Sequence, residues 1–109
     1  MKDNTNVLIV DDEEEICILL AAIIKRSNLT PVFVHNISDA IQMAAKIKPY
    51  LTFLDITLPD GNGLDLLSKF SFQYPAMKVV IISAFDEYKS TALNIGAHSF
   101  LSKPFTKNS

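Results

Sequence analysis

Five polar residues follow short apolar segments of this sequence, in places where a strand would end. They are Asp11 and Asp12 after Val7–Val10, Asp55 after Tyr50–Leu54, Ser83 after Val79–Ile82, and Lys103 shortly after Ser99–Leu101. Clustered carboxylates repel one another, which raises their pKa values unless a cation neutralises them. An oxygen-lined site suits Mg²⁺, while an ammonium and a hydroxyl suit phosphoryl oxygens. Brought together, these side chains have the groups that phosphoryl transfer needs.

The segments that carry these residues are predicted to be strands of one parallel sheet. The apolar runs before Asp11, Asp55 and Ser83 do not alternate with polar residues, which is typical of strands covered on both faces. Helix-period stripes lie between the strands, and Ser38 is a candidate N-cap of the second helix. The stripes are Ile16–Ile24, Ile37–Ala44, Leu64–Phe72 and Glu87–Ile95, and Pro31–Val34 is a weaker strand candidate. This alternation predicts a doubly wound α/β fold, whose ligands bind beyond the carboxyl ends of the strands.

Composition favours one compact domain over residues 1–109. Hydrophobic residues make up 49% of the chain, and the net charge of −2 argues against disorder and against a nucleic-acid-binding face. The longest apolar run, Ile16–Ile24, is shorter than the roughly 20 residues that span a bilayer. The polar start of the chain does not resemble a secretory signal, and the single cysteine, Cys17, excludes an internal disulfide. We therefore expect a cytoplasmic protein.

Four motifs, taken together and in this order, resemble the receiver domains of two-component response regulators. They are Val7-Leu-Ile-Val-Asp-Asp12, Asp55-Ile-Thr-Leu-Pro-Asp-Gly-Asn-Gly63, Ile82-Ser-Ala84, and Gly96-Ala97 followed by Phe100-Leu-Ser-Lys-Pro-Phe105. Each motif alone is weakly specific, but the four cover nearly the whole chain. The resemblance implies a flavodoxin-like five-stranded sheet with strand order 2-1-3-4-5. It also implies a phosphoacceptor domain that catalyses only its own phosphorylation and dephosphorylation.

The resemblance assigns a phosphorylation and metal site to the first two of these motifs. Asp55 would accept phosphate from a histidine kinase or a histidine phosphotransfer protein in a Mg²⁺-dependent reaction. Asp12 would bind Mg²⁺ directly and Asp11 mainly through water, while Asp55 and the backbone carbonyl of Thr57 would complete the protein ligands. The domain would signal through protein contacts, without touching nucleic acid or a membrane.

The last two motifs would sense and stabilise the phosphoryl group. Lys103 would pair first with Asp55 and then with the phosphate, and the Lys103–Pro104 bond is usually cis in this family. Ser83 would move toward the phosphoryl group, and Phe100 would change its rotamer in response. From the sequence alone, a strand aromatic such as Phe100 is more simply a core residue.

Two departures from the family pattern affect the expected signalling. Only Phe105–Ser109 follow Pro104, so the fifth helix is missing or truncated. The chain is then a piece of a longer protein, or a short form whose open sheet face beside the first helix binds a second copy or another protein. Ser83–Gly96 is also about two residues shorter than usual in the family. We expect an altered or weakened switch with intact chemistry at Asp55.

Other interpretations stay open at this point. Glu13–Glu15 fit the N-terminus of a helix, Asp60–Gly63 fits a turn, and neither His35 nor His98 belongs to a recognisable motif. In a phosphatase of the haloacid dehalogenase type, the nucleophile follows the first strand and a second acid stands two residues on. Here Asp11 is followed by Asp12 and Glu13, and the expected nucleophile Asp55, after the third strand, is followed by Ile56 and Thr57 and so lacks that signature. A non-phosphorylated interaction module with the same fold is the third class.

Overall fold

A five-stranded parallel sheet forms the centre of the molecule. The computed structural model describes residues 4–103. The strands are β1 (Asn6–Val10), β2 (Thr30–Val34), β3 (Leu51–Asp55), β4 (Lys78–Ser83) and β5 (Ser99–Ser102). Their spatial order is β2-β1-β3-β4-β5, and every neighbouring pair is parallel. The predicted fold class and the strand order 2-1-3-4-5 are therefore confirmed.

Four helices connect these strands. They are α1 (Glu14–Arg26), α2 (Ile37–Ile47), α3 (Gly63–Gln73) and α4 (Lys89–Ile95), and a 3₁₀ turn at Asp86–Tyr88 precedes α4. The fourth helix therefore begins two residues later than its apolar stripe suggested. Among the residues from 4 to 103, no helix is both long and apolar enough to cross a membrane.

The predicted cap of α2 is wrong. Asn36, and not Ser38, is the N-cap, with an extended backbone and a side-chain oxygen that accepts a hydrogen bond from the Asp39 amide at 2.8 Å. Ser38 lies in the first helical turn, where its backbone amide donates to the carboxylate of Asp60 at 3.0 Å. The apolar stripe marked the helix but did not show which of two neighbouring polar residues leaves the helical conformation.

Apolar side chains cover both faces of the sheet. Along β1, Leu8 and Val10 belong to the core beneath α2, α3 and α4, whereas Val7 and Ile9 belong to the core beneath α1. Cys17 of α1 is fully buried in the second core, as expected. Successive strand residues point to opposite faces, so a run buried on both sides has no polar alternation. The rigid sheet brings the carboxyl ends of its strands to one rim.

Two expectations concern residues after Lys103. The Lys103–Pro104 bond and the missing fifth helix involve residues 104–109, which lie outside the described part of the chain. The assignment of residues 1–109 to one receiver domain also stays a prediction.

Candidate functional site

Lys103 joins three carboxylates from two strand ends. Its Nζ atom lies 2.7 Å from Glu13 Oε1, 3.0 Å from Asp11 Oδ2 and 3.2 Å from Asp55 Oδ2. The backbone amide of Lys103 donates to the carbonyl of Ser83 at 2.8 Å, so the strand ladder itself places the lysine at this rim. Only 10% of the lysine side chain is exposed, and Asp11 and Asp55 are buried, so these two contacts are shielded from solvent screening, whereas the Glu13 side chain is 59% exposed.

Asp11 is held from several directions. Its amide donates to the Val34 carbonyl at 3.1 Å, and its Oδ1 accepts from the Glu13 amide at 2.8 Å. The Asp11 backbone carbonyl lies 2.9 Å from Nδ1 of His35. Because a carbonyl can only accept, Nδ1 carries the hydrogen and donates it. Asp11 Oδ2 is buried, and its charged neighbour is the Lys103 ammonium at 3.0 Å, although the pair lacks hydrogen-bond geometry. The atom therefore already faces a cation.

The buried carboxylates have raised pKa values. Burial raises the pKa of Asp55 to about 6, with the charge of Asp11 adding to the effect and Lys103 and the Thr57 amide opposing it. Burial also raises the pKa of Asp11. For Lys103, burial lowers the pKa, but the close contacts with Glu13 and Asp11 and the neighbouring negative charges more than offset it, so the net direction is upward. The lysine stays charged, and the acids carry excess negative charge around it.

The acidic cluster fits a hard divalent cation. One carboxylate oxygen from each of Asp11, Asp12, Glu13 and Asp55 lies within 4.8 Å of the others. The Lys103 ammonium contacts three of these four carboxylates, and its pairing with the buried Oδ2 of Asp11 lacks hydrogen-bond geometry. Carboxylate oxygens are the ligands that Mg²⁺ and Ca²⁺ prefer, and a cation would remove the repulsion that raises the carboxylate pKa values.

Glu13 belongs to this cluster although the sequence suggested only a role at the start of α1. It occupies the N-cap position, but its side chain makes no capping hydrogen bond and instead contacts Lys103. The contact joins residues 90 positions apart. The run of acids after β1 was the only sequence signal, and it did not distinguish Glu13 from Glu14 or Glu15.

A pocket of about 360 Å³ opens above Asp55. Its lining residues are Asp12, Glu13, Asp55, Thr57, Ser83, Ala84, Phe85 and Lys103. Ser83 is buried, and its Oγ accepts a hydrogen bond from the Phe85 amide at 3.0 Å, which leaves the hydroxyl hydrogen free to donate. Phe100 does not line the pocket but packs against the core on the α2–α3 side. The structure thus brings together every predicted site residue except Phe100.

The segment after Asp55 is tightly folded. Thr57–Leu58 and Gly61–Asn62 form a short antiparallel hairpin, and the Thr57 amide lies 3.4 Å from Asp55 Oδ1. The amide of Gly63 donates to the Ile56 carbonyl at 2.6 Å, and a Cβ atom at Gly63 would lie 2.0 Å from the Asp55 carbonyl oxygen. Only glycine allows this approach, because any side chain would displace the backbone of Asp55.

Turn residues in this hairpin also cap helices. The Asp60 carboxylate accepts hydrogen bonds from the Ile37 amide at 2.8 Å and the Ser38 amide at 3.0 Å. Asn62 accepts from the Leu64 amide at 2.8 Å and so caps α3. The turn predicted at Asp60–Gly63 is present, but its role in holding α2 could not be derived from local sequence.

Fold and site together define a doubly wound α/β domain with an acidic pocket at its carboxyl rim. The family model described as "Response regulator receiver domain" matches residues 7–109. This chain belongs to that family, as the sequence motifs indicated. Phosphoryl acceptance in two-component signalling is the general kind of function of such domains, and no catalytic enzyme family is indicated.

Similar proteins come from several bacteria. The KDP operon transcriptional regulatory protein KdpE of Escherichia coli strain K12 is 37% identical over 103 residues, covering 93% of this chain and 45% of KdpE. The solved receiver domain of NtrX from Brucella abortus is 33% identical with a TM-score of 0.85, covering 94% of this chain and 88% of that one. TrrA from Thermotoga maritima, solved in complex with Mg(2+)-BeF, is 24% identical with a TM-score of 0.85, covering 94% and 89% of the two chains, and shares the fold.

The chain spans only part of the curated relatives. It covers 45% of KdpE and 22% of the response regulator protein PilR of Pseudomonas aeruginosa. The activity of those whole proteins therefore does not follow for this chain from the similarity.

Proposed function

We propose that Asp55 accepts a phosphoryl group from the phosphohistidine of a histidine kinase or a histidine phosphotransfer protein. The observation that carries this proposal is the buried Asp55 carboxylate, which forms a wall of the pocket with Lys103 Nζ at 3.2 Å. One Asp55 oxygen forms the new P–O bond while the P–N bond to the donor imidazole breaks. The bonding pair returns to the imidazole nitrogen, which then takes up a proton.

Lys103 and Ser83 act on the phosphoryl group in this proposal. The ammonium now shared by Asp11, Glu13 and Asp55 would compensate the charge that builds up on the phosphoryl oxygens. The Ser83 hydroxyl, with its hydrogen free, would donate to one of those oxygens. The strand ladder places the backbone of both residues at the rim, so their side chains start close to the phosphoryl group.

The acidic cluster would hold Mg²⁺ beside Asp55. Asp11, Asp12 and Asp55 would provide carboxylate oxygens, and the Thr57 backbone carbonyl would be a further ligand. When bound, Mg²⁺ supplies positive charge that offsets the repulsion between these acids and an incoming phosphate. Asp12, which is exposed at the pocket rim, is the carboxylate that a cation can reach most directly.

The signal would be a conformational change that begins at Ser83. Turning the hydroxyl toward the phosphoryl group would weaken its bond to the Phe85 amide and release the segment before α4. Phe100 would respond by changing its rotamer. We expect a weakened switch, because this segment is short. A beryllofluoride-bound structure with a full displacement of Ser83 and Phe100 would contradict that expectation.

The partners and the compartment also belong to the proposal. The donor would be a histidine kinase or phosphotransfer protein of the cytoplasm, where a lone buried thiol such as Cys17 stays reduced. Binding of a second copy or another protein beside α1 stays a prediction, since the residues that bear on it follow Lys103. The absence of direct nucleic-acid contact also stays a prediction, because KdpE is named as a transcriptional regulator.

The test is mass measurement after incubation with acetyl phosphate and Mg²⁺. We expect a single adduct of about 80 Da that is absent from Asp55→Asn and retained by Asp65→Asn, a matched change of an exposed acid on α3. Omitting Mg²⁺ should suppress the adduct. A wild-type chain without an adduct would favour the non-phosphorylated interaction module, whereas multiple turnover of a phosphomonoester would favour a phosphatase.

A further inference from the structure

Asp60 joins the loop after Asp55 to the start of α2. Its Oδ1 accepts from the Ile37 amide at 2.8 Å and its Oδ2 from the Ser38 amide at 3.0 Å. These bonds stabilise the ionised carboxylate and so lower the pKa of Asp60. α2 already has a local cap, since Asn36 accepts from the Asp39 amide. The helix therefore has a cap of its own, and Asp60 adds a connection between two distant segments.

Through the hairpin, a movement of Asp60 would also move residues of the pocket. Asp60 lies at the hairpin tip, and the paired strands lead back to Thr57, which pairs with Asn62. The tip also fits closely against α2, because a Cβ atom at Gly61 would lie 2.8 Å from Ile37 Cδ1. A shift of the tip away from α2 would therefore move Thr57, whose amide lies 3.4 Å from Asp55 Oδ1.

The start of α2 is connected to the opposite side of the acidic cluster. The Val34 carbonyl accepts from the Asp11 amide at 3.1 Å, and His35 Nδ1 contacts the Asp11 carbonyl at 2.9 Å. The segment 34–38 thus supports Asp11 at one end and receives the Asp60 carboxylate at the other. Through this segment, Asp60 links the two halves of the cluster, Asp11 on β1 and Asp55 on β3.

We infer that Asp60 is a positioning residue of the cation site, acting by fixing the Thr57 loop relative to Asp11. The inference rests on the proposed function, in which Thr57 and both aspartates surround Mg²⁺. Mg²⁺ demands near-ideal octahedral geometry, so a loop that must be ordered when the ion binds weakens the affinity. Residues that support ligands without touching the metal have effects of this kind.

The test compares Asp60→Ala with Asn36→Ala by calorimetric titration with Mg²⁺. Both changes remove a cap of α2, and both should lower the melting temperature of the protein. Only Asp60→Ala also releases the hairpin, so we expect its Mg²⁺ dissociation constant to rise about tenfold, the low end for supporting residues. Asn36→Ala should bind Mg²⁺ like the wild type. Asp60→Asn should lie between, because an amide offers one acceptor oxygen where a carboxylate offers two.

Amide NMR spectra provide a second measurement that does not depend on activity. In Asp60→Asn, the Thr57 resonance should move although Thr57 does not contact the changed side chain, and in Asn36→Ala it should stay in place. Wild-type affinity in both Asp60 variants, or equal losses in Asp60→Ala and Asn36→Ala, would overturn the positioning role alone. A wild-type chain that binds no Mg²⁺ would overturn both this inference and the Mg²⁺ dependence of the proposed function.

Discussion

The two halves of the carboxyl rim differ in how firmly they are held. On the β1–β3 side, Asp11 is fully buried, and α3 begins with an Asn62 cap and buries Gly63, Leu66, Leu67 and Phe70. On the β4–β5 side, α4 has only seven residues, buries only Ala92 and has no side-chain cap. Segments with few buried contacts open at low free energy. The aspartates of the site therefore lie on the firm half (the β1–β3 side), whereas Ser83, Lys103 and the movement proposed for signalling lie on the weak half (the β4–β5 side).

One side-chain contact limits the freedom of the weak half. Ser102 at the end of β5 donates a hydrogen bond to the Asp86 carboxylate in the 3₁₀ turn before α4. Phe85, next to that turn, is half-exposed, as is Leu93 on α4. Neither contributes much to the core, so α4 is attached through Ala92, the partly buried Ile95 and this polar contact.

The largest expected effect follows from Lys103→Met, which removes the cation that the end of β5 presents to the carboxylates of the firm half. Two carboxylates with little exposure, Asp11 and Asp55, would lose their compensating charge. We expect a loss of about 3 kcal/mol in stability and a fall of about 100-fold in the phosphorylation rate. Urea unfolding and the time course of the mass adduct measure these effects.

Lys69→Met, which changes an exposed lysine of α3, is the matched control and should leave both quantities unchanged. Added Mg²⁺ should recover part of the lost stability in Lys103→Met, since the ion compensates the same acids. A variant at Lys103 that is phosphorylated at the wild-type rate would contradict the proposed role of the ammonium.

A smaller loss of stability is expected for Gly63→Ala. The new Cβ would lie 2.0 Å from the Asp55 carbonyl oxygen, so the backbone of the firm half must move. Overpacking of this kind costs about 2 kcal/mol. Ser90→Ala on α4 is the counterpart on the weak half, where an exposed substitution should change stability by less than about 0.5 kcal/mol. If thermal unfolding showed similar losses of stability for Gly63→Ala and Ser90→Ala, the proposed difference between the two halves would be contradicted.

The pH dependence of stability is the third test. The folded-state pKa of Asp55 is raised to about 6, so the native state holds a proton between about pH 4 and pH 6 that the unfolded chain has released. The free energy of unfolding therefore falls as the pH rises through this range. Asp55→Asn lacks this contribution and should be more stable than the wild type above pH 6, by about 2 kcal/mol without divalent cations.

Saturating Mg²⁺ should shrink the difference between Asp55→Asn and the wild type, because the ion favours ionised carboxylates. Denaturant titrations at several pH values, with and without Mg²⁺, measure this difference. A stability difference between Asp55→Asn and the wild type that does not change between pH 4 and pH 6 would show that burial does not raise the Asp55 pKa.

Ser102→Ala should have the smallest effect. Losing one exposed hydrogen bond costs about 0.5 kcal/mol of overall stability, but the loss should be concentrated in the segment that Ser102 attaches. We expect faster amide hydrogen exchange in residues 86–95 and no change in α3. Ser68→Ala, an exposed change on α3, is the control. Unchanged exchange in α4 would mean that Ala92 and the chain connections hold that helix without the side-chain contact.

Sequence patterns were sufficient for the fold and for most of the site. Apolar runs without alternation predicted strands buried on both faces, and β1 shows why, since Leu8 and Ile9 enter different cores. The strand-end positions of Asp11, Asp55 and Lys103 then predicted their meeting, because parallel strands end at one rim. These features depend on periodicity and chain order, which a sequence displays directly.

Only the tertiary structure showed the individual long-range contacts. Glu13 reaches Lys103 over 90 positions, His35 reaches the Asp11 carbonyl over 24, and Asp60 reaches the Ile37 amide over 23. The N-cap of α2 also depends on a long-range contact. Asn36 caps the helix, and the Ser38 amide donates to the distant Asp60 carboxylate. Burial repeats with the period of a helix or strand and so leaves a pattern along the chain. A polar contact between distant segments depends on how helices, strands and loops pack, and leaves no such pattern.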